Sequence, residues 1–233
     1  MHIPYSIEQI FYPINATCHL CKSENVYKYG LCQDCFKLLK KPEGNRCEIC
    51  MDRIDTEGLC SVCFKKKPDF TRLYSSYVYQ MPLSTLVVGL KRSNKRYLRY
   101  TFAEIALDTV PKEILDKINL ITSVPTAPKR LKRRGYNQAE LLGRELSNRT
   151  NIPYEDILIR LKETETTRLK KDEREKALKS EYSFSKSLKG ETVLLIDDVC
   201  TTGATLRQCA KMLKKAGAKE VFCYTVARTE LKN

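Results

Sequence analysis

Residues 193–205 read VLLIDDVCTTGAT, which sets two adjacent carboxylates, Asp197 and Asp198, between an apolar run and a hydroxyl-rich turn. Carboxylates placed where a buried strand reaches solvent are costly unless they serve a ligand. The turn Thr201-Thr202-Gly203-Ala204-Thr205 leads into a helical pattern. Its consecutive backbone N–H groups, hydroxyls and helix N-terminus make a cradle for a phosphate. Gly203 lets the chain turn tightly and approach the anion. Acids for sugar hydroxyls beside a phosphate cradle describe a ribose 5-phosphate site. The plainer reading of the same residues is an acidic strand end followed by an ordinary helix cap.

A second set of chemistry-bearing residues lies nearer the N-terminus. Eight of the eleven cysteines form four CxxC pairs, Cys18/Cys21, Cys32/Cys35, Cys47/Cys50 and Cys60/Cys63. A disulfide framework could use them, but paired knuckles without a visible secretory signal fit tetrahedral zinc thiolate centres better. Residues 30–37 and 58–65 both read GLCxxCFK, and the opening cysteines of the two units, Cys18 and Cys47, stand 29 residues apart. This is an internal repeat. A duplicated unit folding around its own metal gives one Zn2+ to Cys18, Cys21, Cys32 and Cys35, and a second to Cys47, Cys50, Cys60 and Cys63. Spacing alone also admits the interleaved pairing, first knuckle with third and second with fourth. Four thiolates leave no open coordination position, so both zinc ions are structural. Few apolar residues separate the knuckles, and each metal is expected to replace a hydrophobic core. His19, inside a knuckle that already has its thiolates, is expected to face solvent.

Two clusters of cations complete the inventory. Lys129, Arg130, Lys132, Arg133 and Arg134 put five positive charges in six residues. They suit a pyrophosphate or a nucleic-acid backbone, and otherwise make a solvated charge run. Lys91, Arg92, Lys95 and Arg96 are followed by Tyr97 and Tyr100, the composition of a surface where bases stack while phosphates are neutralised. In a helix the same tyrosines and Leu98 would face the core instead. This second cluster is expected outside the strand-end pocket. Across the chain, 42 Lys/Arg against 28 Asp/Glu give a net charge of +14, yet residues 1–70 carry ten and nine. The excess therefore belongs to the remainder, which suits a polyanion, whether a nucleic acid or a phosphorylated small molecule, and otherwise serves general solubility.

Apolar spacing supplies the elements that must hold these groups. After the run Lys65-Lys66-Lys67-Pro68-Asp69 the pattern changes, which divides the 233 residues into a zinc-ribbon module at 1–68 and a larger domain at 69–233. Residues 72–79 are aromatic and β-prone, and 83–108 hold two helical stretches. Residues 119–124 read as a strand, 137–150 as a helix, 157–161 as a short strand, 192–196 as a buried strand, 204–216 as a helix and 220–226 as a strand. Such alternation predicts an α/β fold, a largely parallel sheet flanked by helices, preceded by the cysteine-rich module. Ligands of such sheets gather at the carboxyl ends of the strands. A composition of 42% hydrophobic and 30% charged residues excludes a disordered chain. The apolar runs are too short for membrane insertion, and the first seventeen residues show no secretory pattern. A cytoplasmic location is expected.

VLLIDDVCTTGAT resembles the phosphoribosyl pyrophosphate (PRPP) motif of type I phosphoribosyltransferases. Val124-Pro125, the segment Arg133-Arg134-Gly135-Tyr136-Asn137-Gln138-Ala139 and Leu90-Lys91 resemble the ComF family, whose members also begin with a cysteine-rich zinc module. The resemblance implies a type I phosphoribosyltransferase-like fold and PRPP bound with Mg2+. It makes Asp197 and Asp198 the acids that hold the ribose hydroxyls and would serve catalysis, and Thr201, Thr202, Gly203, Ala204 and Thr205 the 5-phosphate loop. It sets the pyrophosphate against the loop carrying Lys129 to Arg134. Transfer in this fold displaces pyrophosphate directly, so Cys200 is expected to be packing and not a nucleophile. The polar segment 162–189 matches a loop that closes over substrate. Thr167 and Arg174 fit part of the family pattern there, whereas Ala177 stands where Asn is expected, a departure that bears on turnover and not on PRPP binding. The family is associated with natural competence, which implies single-stranded DNA as a ligand and a competence helicase as a partner of the zinc module. Three readings stay open: a DNA-uptake protein binding PRPP and single-stranded DNA, an active phosphoribosyltransferase on a base or nucleotide-related acceptor, and a PRPP-sensing regulator that binds nucleic acid.

Overall fold

The computed structural model describes residues 17–161 and 181–230. Four strands make one parallel sheet: β1 (Arg72–Val78), β2 (Leu120–Ser123), β5 (Thr192–Cys200) and β6 (Glu220–Arg228), in the order β1-β6-β5-β2. The short strands β3 (Leu158–Arg160) and β4 (Tyr182–Phe184) pair antiparallel as a separate ribbon. The expectation that residues 157–161 join the main alternation is thus corrected. Leu158 is buried and Ile159 exposed, the alternation of a half-buried strand rather than of a strand covered on both sides. Thr167, Arg174 and Ala177 lie outside the described residues.

The central strands owe their place to continuous apolar sequence, because successive side chains point to opposite faces and both faces are covered. Leu194, Ile196, Phe222, Tyr224 and Val226 pack with Leu86, Phe102, Leu142 and Leu146. Those partners come from α3 (Leu83–Arg92), α4 (Leu98–Leu107) and α7 (Gln138–Thr150). Val193, Leu195, Val221 and Cys223 face the other way, against Leu206, Cys209, Ala210 and Leu213 of α8 (Ala204–Ala216). Those four recur at helical spacing and make the inward stripe of α8. A four-residue helix α5 (Lys112–Leu115) leads into β2.

The zinc-ribbon segment carries two short helices, α1 (Gln33–Lys37) and α2 (Ser61–Lys65), which begin just after Cys32 and Cys60. It lies along β1, whose other edge pairs with β6. Leu73 N–H donates to Ile49 O and Val78 N–H to Lys40 O, each at 2.8 Å. An exposed strand edge would be a template for association, and the ribbon segment covers this one. The two cysteine sets contact opposite faces of the sheet: Cys18 and Cys32 join the core of the α3–α4–α7 face, and Cys47, Cys50, Cys60 and Cys63 that of the α8 face. No described helix is long and apolar enough to cross a membrane.

Candidate functional site

The crevice arises from unequal strand lengths. β2 pairs with β5 from Leu120/Val193 to Ser123/Ile196 and then turns away. On its other side β5 stays paired with β6 as far as Cys200 and Arg228. Asp197 and Asp198 sit on that unaccompanied part of β5. They are therefore inside the strand, which runs four residues past the expected end at Ile196. A cavity of about 450 Å³ opens there, lined by both acids, Thr201, Thr205, Arg130 and Arg134, with Lys91, Arg160, Glu181 and Tyr182 also in the wall. Asp197 Oδ1 accepts the backbone N–H of Asp198 at 2.8 Å. Burial pushes the Asp197 carboxyl up to about 7, with the neighbouring Asp198 charge adding to the effect and Lys91 and Arg160 opposing it. Lys91 Nζ lies 2.9 Å from Asp198 Oδ1.

Beyond the acids the chain turns through Thr201–Gly203 into α8. Gly203 is left-handed, with φ +73°, where a side chain would be strained. Thr202 Oγ1 accepts the Ala204 N–H at 3.4 Å. Thr201 and Thr205 line the cavity, and Thr202, Gly203 and Ala204 do not; Thr201 and Thr202 are both exposed. Cys200 is buried and accepts a hydrogen bond from Arg228 Nη1 at 3.0 Å, in keeping with the packing role expected of it.

The basic wall comes from the segment after β2. Residues 129–134 form not a loop but most of a helix, α6 (Pro128–Arg134). Pro128 is preorganised for the first turn, and Gly135 closes the helix in a left-handed conformation, φ +77°. Each following residue has a structural task. Tyr136 OH donates to Leu90 O at the end of α3. Asn137 accepts Ala139 N–H at 3.2 Å as the N-cap of α7, accepts Thr126 Oγ1–H at 2.9 Å and donates to Val124 O at 2.9 Å. Gln138 Oε1 accepts from Arg134 Nη1 at 2.8 Å. These bonds aim Arg134 into the crevice. Burial lowers the pKa of its guanidinium; Asp198 opposes that effect and Arg130, Arg133 and Arg92 add to it.

Of the second cation cluster, Lys91 lines the pocket, against the expectation that the whole stretch lies outside it. The Tyr136–Leu90 bond draws the end of α3 against α6, and Lys91 with Arg134 lines both the acid-bearing cavity and an adjoining one of about 660 Å³. Arg92, Asn94, Arg96 and Arg133 complete the second cavity with Tyr136. Arg96 stacks 4.5 Å from the Tyr136 ring centroid. Lys95 is not among the lining residues. Tyr97 and Tyr100 do not form a base-stacking face: Tyr100 is buried in α4, and Tyr97 packs on His19 with ring centroids 5.2 Å apart. His19 is itself buried, with Nε2 lacking a hydrogen-bond partner, so its solvent-facing reading is corrected. The ring fills the seam between ribbon and helix. Arg160, Glu181 and Tyr182 were missed, because a three-residue strand and the chain returning opposite it carry no motif. Arg160 and Glu181 form an ion pair in the wall.

The cysteines gather as two tetrads, Cys18/Cys21/Cys32/Cys35 and Cys47/Cys50/Cys60/Cys63, whose Sγ atoms lie within 4.8 Å of one another in each. This settles the pairing and removes the interleaved alternative. Zn–S bonds of about 2.3 Å in a tetrahedron require S···S edges of about 3.8 Å. Cys21 and Cys32 Sγ stand 3.6 Å apart, and Cys50 and Cys60 Sγ 3.7 Å. These two edges match a Zn2+ tetrahedron. Their exposure differs: Cys21 is exposed and Cys35 half-buried, whereas all four residues of the second tetrad are buried.

A parallel sheet with its acid pair and threonine turn, carried behind two four-cysteine ribbons, defines a type I phosphoribosyltransferase fold with a double zinc ribbon. Family models agree: a double zinc ribbon domain matches residues 7–66 and a phosphoribosyl transferase domain matches residues 131–232. The chain is 33% identical to competence protein F of Haemophilus influenzae over 92% of this chain and 97% of that protein. It is 31% identical to competence protein ComFC of Bacillus subtilis over 85% and 84% of the two chains, and 29% identical to DNA utilization protein YhgH of Salmonella typhimurium over 91% and 96%. The chain belongs to the ComF family of competence proteins.

Proposed function

We propose that this protein serves DNA uptake by holding PRPP with Mg2+ in the crevice and single-stranded DNA along the adjoining basic wall. The relatives named for competence and DNA utilization support the cellular role. The observation that carries the molecular reading is the seam: Lys91 and Arg134 belong to both cavities. Asp197 and Asp198 would accept the ribose hydroxyls, the N–H groups and hydroxyls of Thr201–Thr205 would hold the 5-phosphate, and Arg130, Arg134 and Lys91 would meet the pyrophosphate. Bound Mg2+ would neutralise pyrophosphate oxygens, ligated mainly by the substrate and water. Lys91 leaves Asp198 in the process, exchanging a carboxylate for a phosphate and freeing the acid for the sugar. If pyrophosphate departs, the same acids face the positive charge developing on the ribose. Docking of a competence helicase is assigned to the ribbon module, where Tyr27, Leu38 and Phe64 stand exposed.

Calorimetric titration with PRPP, with and without Mg2+, tests the crevice. Replacing both Asp197 and Asp198 with Asn is expected to weaken binding by at least about 2 kcal/mol, because charged acceptors are lost. Unchanged affinity would remove the assignment. For DNA, affinity should fall steeply with salt as neutralised phosphates release counterions, and no binding at about 50 mM salt would end the nucleic-acid reading.

A further inference from the structure

Two arginines join the second zinc ribbon to the two ends of the threonine turn. Arg207, in the first turn of α8, points its Nη2 at Cys63 Sγ at 3.0 Å and its Nη1 at Lys66 O at 3.5 Å, with its guanidinium 5.8 Å from the Phe70 ring centroid. Arg228, at the end of β6, is buried; it donates to Cys200 Sγ at 3.0 Å and pairs through Nη2 with Asp52 Oδ1, also at 3.0 Å. Asp52 lies two residues beyond Cys50, and Cys200 immediately precedes Thr201. Thr229 N–H closes the same corner on Cys200 O at 2.9 Å.

Electrostatics gives these contacts a reason. Zn2+ with four thiolates carries a net charge of −2, which in a buried centre needs a protein counter-charge. The second tetrad is buried throughout, and Arg207 supplies a cation to one of its sulfurs. Hydrogen bonds to ligating groups orient a metal centre and are felt in its affinity. Here the orienting residue is also in the helix that opens from the phosphate cradle, so the same side chain ties the turn to the metal.

We infer that the second ribbon is a positioning device for the threonine turn: Arg207 on Cys63, and Asp52 through Arg228 on Cys200, fix residues 200–205 in their anion-receiving shape. Among the described residues the side-chain ties of the first ribbon run elsewhere: Lys28 and Tyr29 reach Asp108, the residue after α4, and Tyr29 O accepts from Thr101 in the first turn of α4. The inference rests on the PRPP reading for the identity of the ligand, but not for the coupling itself.

The test uses zinc-loaded full-length protein in four variants, Arg207→Met, Arg207→Lys, Asp52→Asn and, as control, Lys28→Met. Amide hydrogen exchange at residues 200–206, PRPP affinity and the rate of zinc transfer to a chromogenic chelator are read for each. Arg207→Met is expected to release one zinc about 10-fold faster, as for lost hydrogen bonds around a metal, to speed exchange in the turn and to weaken PRPP several-fold. Arg207→Lys should recover part of each effect, and Lys28→Met should change none. Asp52→Asn is nearly isosteric and half-buried, so it tests the second tie should Arg207→Met fold poorly. Exchange in the turn unchanged in both Arg207→Met and Asp52→Asn would overturn the inference. Faster exchange in protein that binds no PRPP in any form, wild type included, would sustain the coupling and overturn the PRPP reading instead.

Discussion

Lys91 is held by a contact that its proposed ligand must break. Its ion pair with Asp198 occupies the acid. Lys91→Met is therefore expected to weaken PRPP by about 1–2 kcal/mol, the difference between a lost charge-assisted phosphate contact and a freed carboxylate; calorimetry reads it directly. The same substitution should weaken DNA, because Lys91 also lines the neighbouring cavity. Asp197 gives a pH signature. A carboxyl raised to about 7 keeps its proton in the folded chain at pH values where the unfolded chain has lost it, so its contribution to stability falls as pH rises from about 4 to about 7 and is then level. A ribose hydroxyl needs the ionised acid, so PRPP affinity should increase between pH 6 and 8. Asp197→Asn removes both effects. It is expected to stabilise the fold at pH 8 by about 2 kcal/mol, after allowing for solvent at the cavity mouth, while sharply weakening PRPP. Thermal melts at pH 5 and pH 8 check the first half and titration the second.

The elements explain why part of this was legible in sequence. The acid pair, threonine turn and α8 are contiguous, so motif and periodicity read them together, and the residue range expected for α8 matches the structure. The cysteine tetrads followed from a repeat for the same local reason. Lys91, Arg160 and Glu181 reach the crevice through contacts between distant segments, which no spacing encodes. The basic segment 129–134 was expected as a loop because five cations hid a helix that has Pro at its start and Gly at its end. The extension of β5 through both acids likewise depends on β6 continuing beside it. Asn137 is the element-scale hinge of the basic wall. Asn137→Ala removes the cap of α7 and leaves Val124 O and Thr126 Oγ1 without their partner. It should cost about 2 kcal/mol in urea unfolding, the sum of a lost cap and an unsatisfied buried group.

At the scale of the molecule, the proposed division at residues 68 and 69 separates two modules whose apolar cores are nevertheless continuous on both faces of the sheet. Independent survival of the larger module is therefore not the expected result of zinc removal. Chelation should release two zinc ions per chain and lower the melting transition of the whole protein, with association following as β1 loses its cover; metal analysis, calorimetry and light scattering report the three. A single zinc, or a sheet transition untouched by chelation, would contradict this account. The strand order adds a consequence in time. β1 lies against β6, and β2 against β5, so the first two strands of the parallel sheet to leave the ribosome must wait for the last two before either gains its partner strand. Such distant pairings form slowly and leave unpaired edges open to association meanwhile. The ribbons precede β1 in the chain and draw all their metal ligands from residues 18–63. They can cap its outer edge while most of the sheet is still unsynthesised, so the zinc supply during translation sets how long that strand stands uncovered.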